Sequence, residues 1–188
     1  MTGATQNDGG RRWSRWRIAA WSSAAAFILL PLLAMQVTDD VNWDLADFIF
    51  AVVLVTGVGV TYELAARTTA NRAYRTAVGV ALAAAFLMIW INLAVGIIGN
   101  EDNPTNLMYG GVLAVGIIGA VSARFRPHGM ARAMVGTALA QVLVAVIALV
   151  AGLGFTGPIT VFFAGLWLIS AWLFHRAAGK QTSSIATP

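Results

Sequence analysis

Glu63, Asn92 and Gln141 are polar side chains set inside or beside long apolar runs, where such groups cost most and mark function or helix contact. Glu63 lies near the end of its run, and Arg67 follows four residues later, the spacing of an interfacial helical ion pair. Facing Gln141 or Asn92 across a bundle, the same carboxylate would instead be proton-coupled. Asn92 and Gln141 carry no charge; they can line a polar path for a small solute or simply hydrogen-bond between helices. A second set, Asp39, Asp40, Asp44, Asp47, Glu101 and Asp102, gathers hard oxygen ligands in two short segments. If those segments meet, they would form a cation-attracting outer vestibule or a weak Ca²⁺ or Mg²⁺ site, although the spacing is not that of an EF-hand loop. Solvated helix caps account for the same residues. A third set, Arg11, Arg12, Arg15 and Arg17 interleaved with Trp13 and Trp16, has the composition that holds anionic lipid headgroups.

Other chemistries lack their parts. There is no Cys for a thiolate, a disulfide or a Cys-ligated metal. His128 and His175 both fall at one rim of the apolar runs, which argues against a bis-histidine haem, and neither has metal-ligand spacing. The one lysine, Lys180, sits in the C-terminal tail, out of reach of the intramembrane Schiff base that retinal needs. Ser22, Ser23, Ser122 and Ser170 have no base beside them, so no triad, carboxylate pair or zinc motif can be assembled. The expectation is a protein with no catalytic residues, no metal and no cofactor.

The elements that must carry these residues follow from composition. Of 188 residues 59% are hydrophobic and 11% charged, with a mean hydropathy of +0.75. Disorder, a disulfide scaffold and a soluble nucleic-acid binder are excluded on those figures. The net charge of +4 comes from basic residues split among short clusters, which are the loops of a multi-pass membrane protein rather than a nucleic-acid surface. Six apolar runs are long enough to cross a bilayer, at about 18–37, 45–66, 76–98, 107–123, 133–153 and 158–175. They predict an all-α bundle of six transmembrane helices between an N-terminal tail, residues 1–17, and a C-terminal tail, residues 176–188. A basic segment ahead of an apolar run also describes a cleaved signal peptide, and Arg11-Arg12 hints at the twin-arginine class. The first run is longer than a usual signal core and lacks a small-x-small site, so it is read as a retained helix kinked at Pro31. Asn103 before Pro104, and Pro158, mark helix starts.

Charge then sets orientation. Arg11 to Arg17, Arg67 to Arg75, Arg124 to Arg132, and Arg176 with Lys180 account for all 12 basic residues, and all fall on one side of six spans. Lys and Arg stay cytoplasmic, so both termini are expected inside the cell.

Small residues mark helix contact faces in lipid. They recur as Thr56, Gly59 and Glu63 in the second span, as Ala81, Ala85, Met88, Asn92, Gly96 and Gly99 in the third, as Gly116, Gly119 and Ala123 in the fourth, and as Thr137, Gln141, Ala145, Ala148 and Gly152 in the fifth. The heptapeptide Leu93–Gly99 is repeated as Leu113–Gly119. An inverted-repeat transporter would produce such a pair, but the flanking residues do not sustain the match.

The stretch from Trp90-Ile91-Asn92 through Gly99-Asn100-Glu101-Asp102-Asn103-Pro104 to Asn106-Leu107-Met108-Tyr109 resembles a motif of small multi-pass bacterial inner-membrane proteins. Val41-Asn42-Trp43, Asp47-Phe48 and Tyr62-Glu63-Leu64 are similar to the same group, so the likeness covers most of residues 30–150. No function is assigned to that group, so the resemblance implies a bacterial inner-membrane setting and nothing about activity. Two functions remain open. One is permeation of a small solute or ion through the bundle, using the acidic outer vestibule and Asn92, Glu63 and Gln141. The other is a non-catalytic accessory or assembly subunit of a larger membrane complex. Membrane lipids are the expected partners, with a homo-oligomer or larger complex as the assembly and no nucleic acid.

Overall fold

Each long apolar run becomes a helix, the arrangement that satisfies every backbone group within its own segment. The computed structural model describes residues 8–38 and 42–185. They form α1 (Asp8–Ala34), α2 (Leu45–Thr68), α3 (Arg72–Ala94), α4 (Leu107–Ser122), α5 (Pro127–Val150) and α6 (Gly157–Ile185), with a 3₁₀ turn, Pro104–Asn106, leading into α4. All six helices are long and apolar enough to span a membrane. The chain divides into two units, Met1–Gly57 and Val58–Pro188.

In the first unit, α1 runs through Pro31 without breaking and ends three residues later. The start of α2 is a reciprocal cap. The backbone N–H of Asp44 donates to the Asp47 carboxylate at 2.9 Å, and that of Asp47 donates to the Asp44 carboxylate at 3.0 Å. Two otherwise orphaned amides are satisfied, and both negative charges lie at the positive end of the helix dipole.

In the second unit, α5 packs against both α4 and α6, and α3 packs against α6 with a smaller contact to α4. The buried positions explain why. Tyr74, Ala77, Ala84 and Met88 line α3; Met130, Met134, Thr137, Gln141, Val144 and Ala148 line α5; Thr160, Phe163, Trp167, Ser170, Phe174 and Ala177 line α6. On α5 and α6 the steps alternate between three and four, the pattern of antiparallel helices crossing at a shallow angle with interlocking side chains. The outward positions of these helices are mostly exposed Leu, Ile, Val and Phe.

Cross-helix contacts fix the register. Asn71 Nδ2 donates to the Ala177 carbonyl at 3.1 Å, Tyr74 meets Phe174 edge-on with ring centroids 5.1 Å apart, and Ser170 Oγ donates to the Ala77 carbonyl at 2.9 Å. These tie α3 to α6. Between α4 and α5 the backbones come close. A Cβ on Gly119 would sit 2.7 Å from the Cβ of Ala133, one on Gly116 would sit 3.1 Å from Thr137 Oγ1, and one on Gly129 would sit 2.6 Å from the Cβ of Ala123. The fourth-span stripe therefore is a packing contact.

Several boundaries differ from expectation. α1 starts at Asp8, so the basic cluster belongs to a helix rather than to a tail. α5 starts at Pro127, whose fixed φ suits the first helical position, and so takes in the supposed loop as far as Arg132. α6 continues to Ile185 through the supposed C-terminal tail. α3 starts earlier, at Arg72, because Asn71 caps it, its Oδ1 accepting from the backbone of Ala73 and Tyr74. It also ends earlier, at Ala94. Gly96 and Gly99 adopt φ of +70° and +73°, which stops the helix inside the first copy of the repeated heptapeptide. The second copy is wholly helical within α4. The two copies are thus not structural equivalents.

Candidate functional site

The turn between α3 and α4 is built on one side chain. Asn106, 5% exposed, accepts the backbone N–H of Ile97 at 3.1 Å and of Ile98 at 2.8 Å on Oδ1, while its Nδ2 donates to the Asn100 carbonyl at 2.7 Å. Asn92 joins it, donating from Nδ2 to the Asn106 carbonyl at 3.1 Å. Asn103 accepts from both the backbone and the hydroxyl of Thr105, capping the 3₁₀ turn as Pro104 suggested. This end of the second unit also carries Glu101 and Asp102, both exposed; it is the acidic end. The opposite, basic end carries the α4–α5 connection and the start of α3.

Beneath the turn lie buried polar atoms with no hydrogen-bond partner. Among the described residues these are Asn92 Oδ1, the hydroxyls of Tyr109, Thr156 and Thr160, Trp167 Nε1, and both Nε2 and Oε1 of Gln141. Gln141 is fully buried, and neither polar atom of its amide has a partner within the protein. Tyr109 and Thr156 are near neighbours, but neither hydroxyl meets a partner in hydrogen-bonding geometry. The register orders these groups by depth. The α3–α6 contacts put Asn92 level with Thr156. Thr160 lies one turn deeper, about 6 Å at 1.5 Å per residue. His128 and His175, whose rings are 6.3 Å apart, align α5 with α6 and put Gln141 roughly 3 Å below Thr160. Trp167 lies deeper again, roughly 16 Å below Thr156.

Toward the basic end, among the described residues, the buried polar side chains are bonded. Thr137 Oγ1 donates to the Ala133 carbonyl at 2.9 Å, and Tyr74 donates to the Phe125 carbonyl at 2.7 Å, joining Ser170 and Asn71 described above. Arg124 and Phe125, at the start of this connection, hold φ of 48° and 57°, a costly pair for side-chain-bearing residues. The Tyr74 bond to the Phe125 carbonyl helps hold them there.

No family model, no curated protein and no solved structure matches the chain. Its functional reading rests on its own geometry.

That geometry buries some of the expected residues and separates others. Asn92 and Gln141 both lie on the buried side of the second unit. Glu63 does not join them. Its carboxylate accepts from Arg67 Nη2 at 3.1 Å, the spacing read from the sequence. Tyr62 lies 3.4 Å from the Cβ position of Gly79, so Glu63 is near the level of residue 79. Asn92 is further along α3 by about 20 Å. Glu63→Gln is accordingly expected to change stability by less than about 0.5 kcal/mol, since the pair is partly exposed and water or headgroups replace it. Thermal unfolding in mild detergent checks this, and a loss of several degrees would show that Glu63 does more than pair with Arg67.

Of the acidic set, Asp44 and Asp47 cap α2 in the first unit, Glu101 and Asp102 lie in the second, and Asp39 and Asp40 lie outside the described residues. Of the headgroup-binding set, Arg17 is exposed, and the side chains of Arg11, Arg12 and Arg15 lie outside the described residues. At the basic end Arg176 lies over the Trp172 ring at 4.6 Å, a cation–aromatic contact suited to an interface. The sequence reading missed Asn106, Tyr109, Thr156, Thr160 and Trp167. Thr160 and Trp167 of α6, with Thr156 just ahead of it, could have been found: at helical spacing they fall on one face, shared with the buried Phe163.

Proposed function

We propose that the chain is a multi-pass protein of a bacterial inner membrane, with both termini cytoplasmic, whose second unit handles a small polar solute or ion. The observation that carries this reading is Gln141, a fully buried amide whose oxygen and nitrogen both lack partners in the middle of an apolar helix. Such a group in a low-dielectric interior costs roughly 1–3 kcal/mol per unmet atom, and a polar visitor offsets that cost. The arginines at one end of the helices support the orientation, since Lys and Arg resist translocation. The carboxylates Glu101 and Asp102 at the acidic end would draw cations toward the entrance. No residue set in this reading performs bond chemistry, so the protein is not an enzyme, and its arginines sit among anionic lipid headgroups. The resemblance to small multi-pass inner-membrane proteins fits the same setting.

A second reading, an accessory subunit of a larger complex or a homo-oligomer, is favoured by α1 and α2. Each is apolar enough to span a membrane, yet few of its residues are buried.

Purified protein in liposomes tests the first reading. Light scattering after an osmotic step with urea, glycerol or potassium chloride should show entry at least tenfold faster than in protein-free vesicles for one of the three. Gln141→Leu should remove most of that gain. Entry no faster than in empty vesicles for all three, with a defined partner retained on gentle extraction, would favour the accessory role.

A further inference from the structure

The unmet polar atoms are not spread evenly through the second unit. They begin at the acidic end with Asn92, Tyr109 and Thr156, continue through Thr160 and Gln141, and stop at Trp167 near the middle. From that level to the basic end Thr137, Ser170, Tyr74 and Asn71 all have partners, and the Tyr74 and Phe174 rings meet across α3 and α6. Helix interiors that are merely imperfect would leave orphans at either end. A one-sided series of donors and acceptors, each within two turns of the next, is the lining that a polar molecule, or a file of them, would satisfy.

The chemistry of the series states what it holds. None of these groups carries a charge, and no ionised side chain belongs to the series. A bare ion there would meet no opposite charge in a low-dielectric interior and would be strongly disfavoured. The indole N–H and the amide NH₂ donate, while the amide oxygens and three hydroxyls accept. The geometry points to a binding site for small neutral hydrogen-bonding molecules, water being the smallest. The site lies in the acidic half of the unit beneath the α3–α4 turn, and Tyr74, Phe174 and the bonded Ser170 pack on its basic side. It rests on the solute reading above and narrows it to neutral species.

The absence of Cys from the chain makes the test direct. Thr160→Cys and Ser170→Cys change little in size. In membrane vesicles, methyl methanethiosulfonate, small and neutral, should modify Thr160→Cys at least tenfold faster than Ser170→Cys, and its trimethylammonium analogue should be excluded from both. Equal rates at the two positions, or no reaction at Thr160→Cys, would overturn the site. Gln141→Met provides an independent readout in the full chain. If the amide is bonded to bound molecules, the substitution lowers the unfolding midpoint by a few degrees; a higher midpoint would show a dry orphan and overturn the site. Labelling of Thr160→Cys without solute flux in liposomes would leave the site standing and remove the permeation reading. Flux with Thr160→Cys unlabelled would do the reverse.

Discussion

Replacing Asn106 by leucine is expected to unfold the α3–α4 turn and cost about 2–4 kcal/mol, because unmet buried backbone groups cost roughly 1–3 kcal/mol each. Asn106 supplies the acceptor for the amides of both Ile97 and Ile98 and a donor for the Asn100 carbonyl. Ile98 is 1% exposed, so its N–H has no route to water once the acceptor is gone. Asn106→Asp keeps the oxygen for both amides but turns an acceptor toward the Asn100 carbonyl, so it should recover only part of the loss. Denaturant titration in mild detergent ranks the two variants. Equal stability of Asn106→Leu and the parent would mean that the turn is held by something else.

Gly119→Leu is the second large effect. The Cβ would start 2.7 Å from the Cβ of Ala133 and 3.2 Å from its Cα, so α4 must move away from α5 before the rest of the side chain is placed. Overpacking of this kind costs about 1–3 kcal/mol and often more when a backbone must shift. Gly110 lies on the same helix with nothing within 4 Å of its Cβ position. There the same substitution should stabilise by up to about 1 kcal/mol, the helix-propensity difference between glycine and leucine. Opposite signs at the two positions are expected in thermal unfolding; two losses of similar size would show that glycine is needed for flexibility rather than for close approach.

The helices were legible because apolar length and helix caps are local signals. Asn71, Asn103 with Pro104, and the Asp44–Asp47 pair each act within a few residues of their own position, and the Glu63–Arg67 pair needs only four-residue spacing. The end of α3 was not legible. Leu93–Gly99 and Leu113–Gly119 are identical, so no propensity can distinguish a turn in one from a helix in the other. What decides is Asn106, whose side chain reaches back over eight and nine residues to take the amides that the helix would otherwise use.

The candidate site was half legible for a related reason. Gln141 belonged to an interior stripe because Thr137 and Ala148 share its spacing, and all three are buried. Grouping Glu63 with it followed residue type rather than depth. The Tyr62–Gly79 contact now puts the carboxylate and Asn92 about 20 Å apart along α3. Thr156, Thr160 and Trp167 went unnoticed because hydroxyls and indoles are ordinary in apolar helices; their meaning appears only when the partners are counted.

Everything functional depends on the helices crossing the bilayer with the basic end inside. A reporter enzyme active only outside the cytoplasm, fused after Asn103 in one chain and after Arg126 in another, measures this directly. Activity after Asn103 and none after Arg126 is the expected result. Activity in both fusions, or in neither, would contradict a chain that threads the membrane between these two points.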